Sequence, residues 1–290
     1  VPRAQGLPLY LSAMFLITAM SACVRAVSGE VPLGQIIFWR SAVALVPILA
    51  YMAARGELPA ALRTSQPRLH VTRNLLGGLS MALSFLSLAY LPVATAQALA
   101  YLAPILTLVL AALVGREQIG GRVVGAMALA VAGLAAMIGG ALTAPGQGAL
   151  IGIAAGLGFA TTQAVVRVHV RAMTRSEKPS TIAFYFAVTG TAIGLASLPF
   201  GWSTPDLPAL ALLAGAGLLG GMAHVAATEA VARSPVSRLA PLEYTGLIWA
   251  LGFDILAFGE MPAPAALGGA VLIVLAVLIL AIRSGAKAPG

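Results

Sequence analysis

Leu75-Leu76-Gly77-Gly78 returns 143 residues later as Leu218-Leu219-Gly220-Gly221, and the same offset brings further distinctive positions into register. Pro92-Val93 meets Pro235-Val236, Tyr101 meets Tyr244, Glu117 meets Glu260 and Gly125 meets Gly268. Matches of Leu with Gly are cheap in a composition this biased. An ordered set that includes a proline, a tyrosine and a glutamate is not. The chain therefore reads as two copies of one unit, 1–147 and 148–290.

The medium around these copies follows from composition. Of 290 residues, 60% are hydrophobic and 9% charged, against about 25% charged in soluble domains. Too few polar groups remain to cover a water-facing surface, so lipid takes the place of water. Apolar runs fall at about 8–27, 33–53, 71–90, 94–114, 121–140, 149–170, 181–199, 208–231, 239–257 and 264–283. Each is close to the length of roughly 20 residues that a helix needs to span hydrocarbon. Turn residues separate them, as in Gly29-Glu30-Val31-Pro32 and Ser203-Thr204-Pro205-Asp206. Barrel strands would be shorter and would alternate apolar with polar. The expected fold is an all-α integral membrane protein of ten transmembrane helices.

Cations set the orientation, because short cytoplasmic loops collect Lys and Arg. Arg3, Arg55, Arg63, Arg68, Arg73, Arg116, Arg122, Arg167, Arg171, Arg175, Lys178, Arg233, Arg238, Arg283 and Lys287 fall on one side. The opposite loops hold Glu30, Asp206 and Glu260 and no lysine. The net charge of +8 is thus a topology signal and not a nucleic-acid footprint, and both termini are expected in the cytoplasm. Five helices separate the copies, and five is odd. The second copy must cross the membrane in the opposite sense to the first, an architecture recurrent among secondary transporters.

The runs Ser87-Leu88-Ala89-Tyr90-Leu91-Pro92-Val93-Ala94, Leu102-Ala103-Pro104-Ile105 and Gly115-Arg116-Glu117, with Gly125, resemble the repeat signature of the drug/metabolite transporter superfamily, EamA type. Glu243-Tyr244 to Gly259-Glu260 and Gly268 resemble it again. Within the superfamily the chain is most similar to bacterial amino-acid exporters of the YddG type. Arg116 departs from the pattern, where many members have an apolar or small residue. The resemblance implies ten helices around a central cavity, and export of amino acids or similar metabolites across the bacterial inner membrane. A multidrug or nucleotide-sugar carrier is the alternative within that class.

Helical spacing sorts the candidate site residues by face. Gly77, Ser80, Ser84 and Ser87 share a stripe, as do Gly217, Gly221, His224 and Thr228; Gln97, Tyr101 and Pro104 share another, with Tyr244 in the matching place. Small and weakly polar stripes either line a cavity or let helices approach closely. The substrate-binding candidates are His224, Tyr101, Tyr244, Gln97, Ser84 and Gln163. Pro104 breaks a backbone hydrogen bond within its run and is a candidate hinge or a static kink. Arg40, about two turns into helix 2, would attract a substrate carboxylate or pair with Asp254; the resemblance, which makes helix 2 peripheral, favours the ion pair. Arg25 and Glu30 lie near enough to the surface to snorkel, and Glu229 and Glu243 are expected in a solvated cluster with Arg233 and Arg238. Gly148, Gly152 and Gly156 form a close-approach motif that serves the bundle or a dimer.

Nothing matches a phosphate-binding Gly-x-x-x-x-Gly-Lys-Ser/Thr loop. His70, His169 and His224 are far apart and Cys23 is single, so metal chemistry, a cofactor and a disulfide framework are not expected. An intramembrane enzyme would need a nucleophile beside a base, and a channel would need charge rings or carbonyl filters. The partners expected are a small-molecule substrate and the lipid bilayer.

Overall fold

The computed structural model describes residues 6–115, 121–143, 147–173, 177–234 and 239–281, and among these the regular structure is helical. The helices are α1 (Gly6–Val27), α2 (Leu33–Ala54), α3 (Pro67–Tyr90), α4 (Val93–Ala100), α5 (Leu102–Gly115), α6 (Gly121–Thr143), α7 (Gln147–Met173), α8 (Pro179–Ala196) and α9 (Leu207–Arg233). A 3₁₀ turn, Ala240–Tyr244, leads into α10 (Thr245–Phe258), and α11 (Pro264–Ala281) comes last. Among the described residues six helices are long and apolar enough to cross a membrane, and shorter apolar helices accompany them. Glu117, Pro235, Val236 and the cations Arg3, Arg116, Arg175, Arg238, Arg283 and Lys287 lie outside the described residues.

Local chemistry accounts for the ends. Pro67 and Pro179 occupy first-turn positions, where a missing N–H costs nothing. The Asp206 carboxylate accepts from Ala209 N–H at 2.8 Å and caps α9. The run expected at 94–114 is interrupted: α4 stops at Ala100 and α5 starts at Leu102. Pro104 explains this, since its ring collides with the carbonyl four residues back, that of Ala100. Tyr101 N–H is shared between the carbonyls of Gln97 and Ala98, both at 3.2 Å, as at a tightening helix end. In the second half the same register position, Tyr244, ends a 3₁₀ turn rather than a helix.

Helix contacts give relative directions. α1 is antiparallel to α9, with Met20 against Gly220 and Gly6 against Ser234. α2 is antiparallel to α8 (Gly34 on Ser197, Phe38 on Gly194, Ser41 on Gly190) and parallel to α9 (Val43 on Gly217, Pro47 on Gly221). α3 is antiparallel to α7, with Tyr90 against Gly148 and Leu83 against Gly158. It is parallel to α8, because Asn74 donates to Tyr185 O while Gly78 meets Ile193. So α1, α3 and α8 point one way, and α2, α7 and α9 the other. The contacts also exchange in pairs: α1 on α9 has its counterpart in α7 on α3, and α5 on α7 in α10 on α1.

Large apolar side chains face outward, among them Val46, Leu75, Leu79, Leu157 and Leu256, which suits lipid and not water. Inside, the helices touch through small residues, as expected where lipid removes the hydrophobic drive to associate. A Cβ added to Gly133 on α6 would sit 2.6 Å from the Gly269 carbonyl on α11. Gly148, Gly152 and Gly156 meet Tyr90, Leu91 and Leu99 within the bundle, so this motif joins α7 to α3 and α4.

Beyond the ends of α2 and α7 the chain is fastened by Glu177. Its carboxylate accepts from Thr64 Oγ1 (2.8 Å), Ser65 N–H (2.9 Å), Ser65 Oγ (3.0 Å) and Gln66 N–H (3.2 Å). Burial alone would raise its pKa; the hydrogen bonds from Thr64 and Ser65 outweigh that and hold it below the ordinary carboxylate value.

Gly133→Ala is expected to lower the melting temperature in detergent by the equivalent of about 1–3 kcal/mol. Gly125→Ala, where a Cβ meets nothing within 4 Å, should not; equal effects would contradict the close crossing. The Glu177 stabilisation is complete above the ordinary value of 4.5 and is lost as pH falls through the depressed one. Glu177→Gln should therefore melt lower than wild type at pH 7, with the gap closing in acid; a gap independent of pH would exclude the charge as its cause.

Candidate functional site

Arg73, Gly77, Ser80, Ser84 and Ser87 recur along α3 at alternating steps of four and three residues, which places them on one helical stripe. This stripe forms one wall of a cavity of about 250 Å³. Across from it stand Gln163 and Phe159 of α7, with Arg40 of α2, Phe186 of α8 and His224 of α9 at the sides. Gln97 and Tyr101 at the end of α4, and Glu243 in the 3₁₀ turn, complete it. The residues of α2, α3, α7, α8 and α9 lie well inside their helices, so the cavity sits at mid-depth in the bundle and takes its walls from both halves.

The expected site residues come together here with two exceptions. His224, Tyr101, Gln97, Ser84 and Gln163 all reach the cavity. Ser80 Oγ donates to Gln163 Oε1 at 3.2 Å, and the His224 ring stands edge-on to Phe186, centroids 6.5 Å apart. Tyr244 lies behind the wall, with its ring 4.8 Å from that of Tyr101. Tyr101 Oη donates to Glu243 O at 3.0 Å and accepts from Gln97 Nε2 at 3.3 Å. The two tyrosines thus join the broken ends of corresponding segments. Pro104 lies in the first turn of α5, off the wall, and acts on the site through the break at Tyr101. On α9, Gly217 and Gly221 pack on α2 and Thr228 bonds back to His224 O at 2.8 Å; of that stripe, His224 faces the cavity.

Four charged residues, Arg40, Arg25, Arg73 and Glu243, are placed differently from expectation. Arg40 does not pair with Asp254. It is 6% exposed on the cavity wall, with Nη1 3.6 Å from Met81 Sδ and Nε without a partner. Arg25 takes Asp254 instead, at 2.8 Å, because the last turns of α1 and α10 meet at the same end of the bundle. Arg73, expected with the loop cations, is two turns inside α3 and 8% exposed. Its guanidinium carbon lies 4.1 Å from the Phe186 centroid, and its Nη1 donates to Asn74 Oδ1 at 3.1 Å. Glu243 pairs with Arg167 at 2.9 Å, while Glu229 pairs with Arg233 at 2.5 Å and accepts from Tyr51. The signal for Arg73 was in the sequence: it continues the Gly77-Ser80-Ser84-Ser87 stripe by one turn. Nothing in the local pattern distinguished the two readings of Arg40.

The two ends of the cavity differ. At one end Asp254 accepts from Arg25 and from Val93 and Ala94 N–H, each at 2.8 Å, so it also satisfies free amides at the start of α4. Arg25 reaches Glu260 at 2.5 Å and lies over the Phe258 ring. The Arg25 and Asp254 side chains are 14% and 4% exposed. At the other end the Arg167 and Glu243 side chains are 38% and 22% exposed, so water reaches the wall there. A second cavity of about 440 Å³ lies outside the Asp254 end. Its carboxylates, Asp254 and Glu260, are already committed to Arg25.

The chain is similar to known transporters. The EamA-like transporter family matches residues 4–139 and again 148–282. A pseudopaline exporter of Pseudomonas aeruginosa is 29% identical over 281 residues, 95% of each chain. An S-adenosylmethionine uptake transporter of Rickettsia prowazekii is 27% identical over 243 residues, 84% of this chain and 80% of its own. A solved crystal structure covers 98% of this chain and 100% of its own at a TM-score of 0.71 and 22% identity, a likeness of fold.

Proposed function

The chain belongs to the EamA-like transporter family, and we propose that it is a secondary carrier exporting small organic metabolites, amino acids and amino-acid-like compounds foremost, across the bacterial inner membrane. It does so by alternating access of the cavity between α3, α7, α8 and α9. The observation that carries this reading is a mid-depth cavity whose polar wall is drawn from both halves. Export is the direction of the Pseudomonas relative that spans 95% of the chain.

In this reading the chain makes ten spans, with both termini cytoplasmic, as two inverted five-helix repeats, 1–147 and 148–290. The double family match supports that division, and so do the opposite senses of α1 and α7, of α2 and α8, and of α3 and α9. Two similar halves packed face to face can exchange conformations at small cost, which gives two openings of comparable energy. The Arg25–Asp254 end, sealed here, would then open as the Arg167–Glu243 end closes. The break at Tyr101, imposed by Pro104, is the natural place for α4 to swing relative to α5, and the Tyr101–Tyr244 contact carries that swing to the second half.

The test is counterflow into proteoliposomes preloaded with unlabelled metabolites. Saturable uptake of a labelled amino acid or related metabolite, competed by its own kind, is expected. Well-folded protein that shows none with amino acids, nucleotide sugars or drugs would contradict a carrier. Pro104→Ala, which lets α4 and α5 run on, should slow turnover several-fold while leaving the melting temperature equal or higher. Unchanged turnover would make the break a static kink.

A further inference from the structure

Arg40 and Arg73 are 6% and 8% exposed, both stand on the cavity wall, and among the described residues neither forms an ion pair. The Nε of each is buried without a hydrogen-bond partner. Their remaining contacts are soft or neutral: the Met81 sulfur, the Asn74 amide oxygen and the face of Phe186. Their guanidinium carbons lie 5.8 Å and 4.1 Å from the centroid of that one ring, so a single small molecule can reach both. The carboxylate on this wall, Glu243, is held by Arg167.

An uncompensated guanidinium inside a membrane protein is costly, and two on one wall more so. Guanidinium forks are shaped to take carboxylate or phosphate oxygens two at a time. We propose, building on the carrier reading, that the cargo is a small organic dianion that places one acidic group on Arg40 and a second on Arg73. The hydroxyls of Ser80 and Ser84 and the amide of Gln163 then serve the neutral polar groups between them. Met14, Ile17, Phe85 and Phe159 on the same wall give the carbon skeleton an apolar surface, which an inorganic anion would leave unused. A cationic cargo would meet two like charges with no carboxylate free to receive it.

The experiment uses the full chain, in detergent for thermal shift and in proteoliposomes for counterflow. The probes are succinate, glutarate, adipate and citrate, with butyrate, neutral amino acids, S-adenosylmethionine and inorganic phosphate beside them. At least one di- or tricarboxylate should raise the melting temperature and drive counterflow where butyrate does neither. Arg40→Gln and Arg73→Gln should each lower that counterflow by at least about tenfold, the loss of a charge-assisted pair. Their ligand-free melting temperatures should stay level or rise, because an unpaired buried charge has gone. Lys at either position should restore part of the activity, and Arg68→Gln, an exposed change on the same helix, should have no effect.

Counterflow of S-adenosylmethionine or neutral amino acids, unaffected by either Gln variant and not competed by dicarboxylates, would overturn the dianion and leave the carrier standing. Stabilisation by phosphate alone would overturn the organic cargo. A sharp fall in melting temperature for both Gln variants would make the arginines structural and overturn their role as receptors. Counterflow of no probe would overturn the carrier reading; dicarboxylate stabilisation lost in the Gln variants would still uphold the site, and its absence would overturn that too.

Discussion

A buried carboxylate that satisfies two helix-terminal amides and a guanidinium at once couples the three elements that carry it and them, and Asp254 is placed in that way. It accepts from Val93 and Ala94 at the start of α4 and from Arg25 at the end of α1. A helix that starts within the membrane leaves N–H groups that lipid cannot satisfy, so the first turn of α4, after Leu91, depends on this side chain. One buried group thereby ties α1, α4 and α10 together at one end of the bundle. The opposite end is held by a more exposed pair, Arg167 with Glu243, which water can replace. That asymmetry makes one end of the bundle more deeply buried than the other.

Close approach through small residues sets the rest. α6 crosses α11 where Gly133 faces Gly269, and α7 lies on α3 and α4 through Gly148, Gly152 and Gly156. Packing this close leaves continuous helices little room to bend, because backbone meets backbone at Gly133 and Gly269 and the side chains of Tyr90, Leu91 and Leu99 sit directly on the glycines of α7. It favours movement at the interruptions in the helices, where the Tyr101 and Tyr244 rings meet, over bending of continuous helices.

Much of this was legible in the sequence. The apolar runs mark the helices to within a few residues: 8–27 became Gly6–Val27 and 33–53 became Leu33–Ala54. Helical spacing picked out Ser84, Gln97, Tyr101 and His224, all on the cavity wall. What spacing cannot give is the identity of the opposing surface. Gly217 and His224 share a stripe, yet one packs on α2 and the other faces the cavity. Loop charges were counted by distance along the chain, so Arg73 passed for a surface cation although it extends the serine stripe inward. The sequence reading pairs Arg40 with Asp254 and leaves Arg25 a snorkelling surface cation, and the packing of α1 on α10 gives Asp254 to Arg25 instead. The start of α4 and its break before Pro104 were legible in the sequence, but its cap was not: the Asp254 carboxylate, 160 residues beyond Ala94, takes the amides of Val93 and Ala94.

The proposed carrier opens its cavity by turns at the Arg25–Asp254 end and at the Arg167–Glu243 end. Cys23 is the single cysteine of the chain, so Ser84→Cys in a Cys23→Ser background reports on the cavity alone. In sealed vesicles of known orientation, a membrane-impermeant thiol reagent should reach Cys at 84 from the Arg167–Glu243 side and not from the other. Adding Asp254→Asn, which weakens the seal, should make it reactive from the Arg25 side. Reactivity confined to one side in both backgrounds would contradict alternating access.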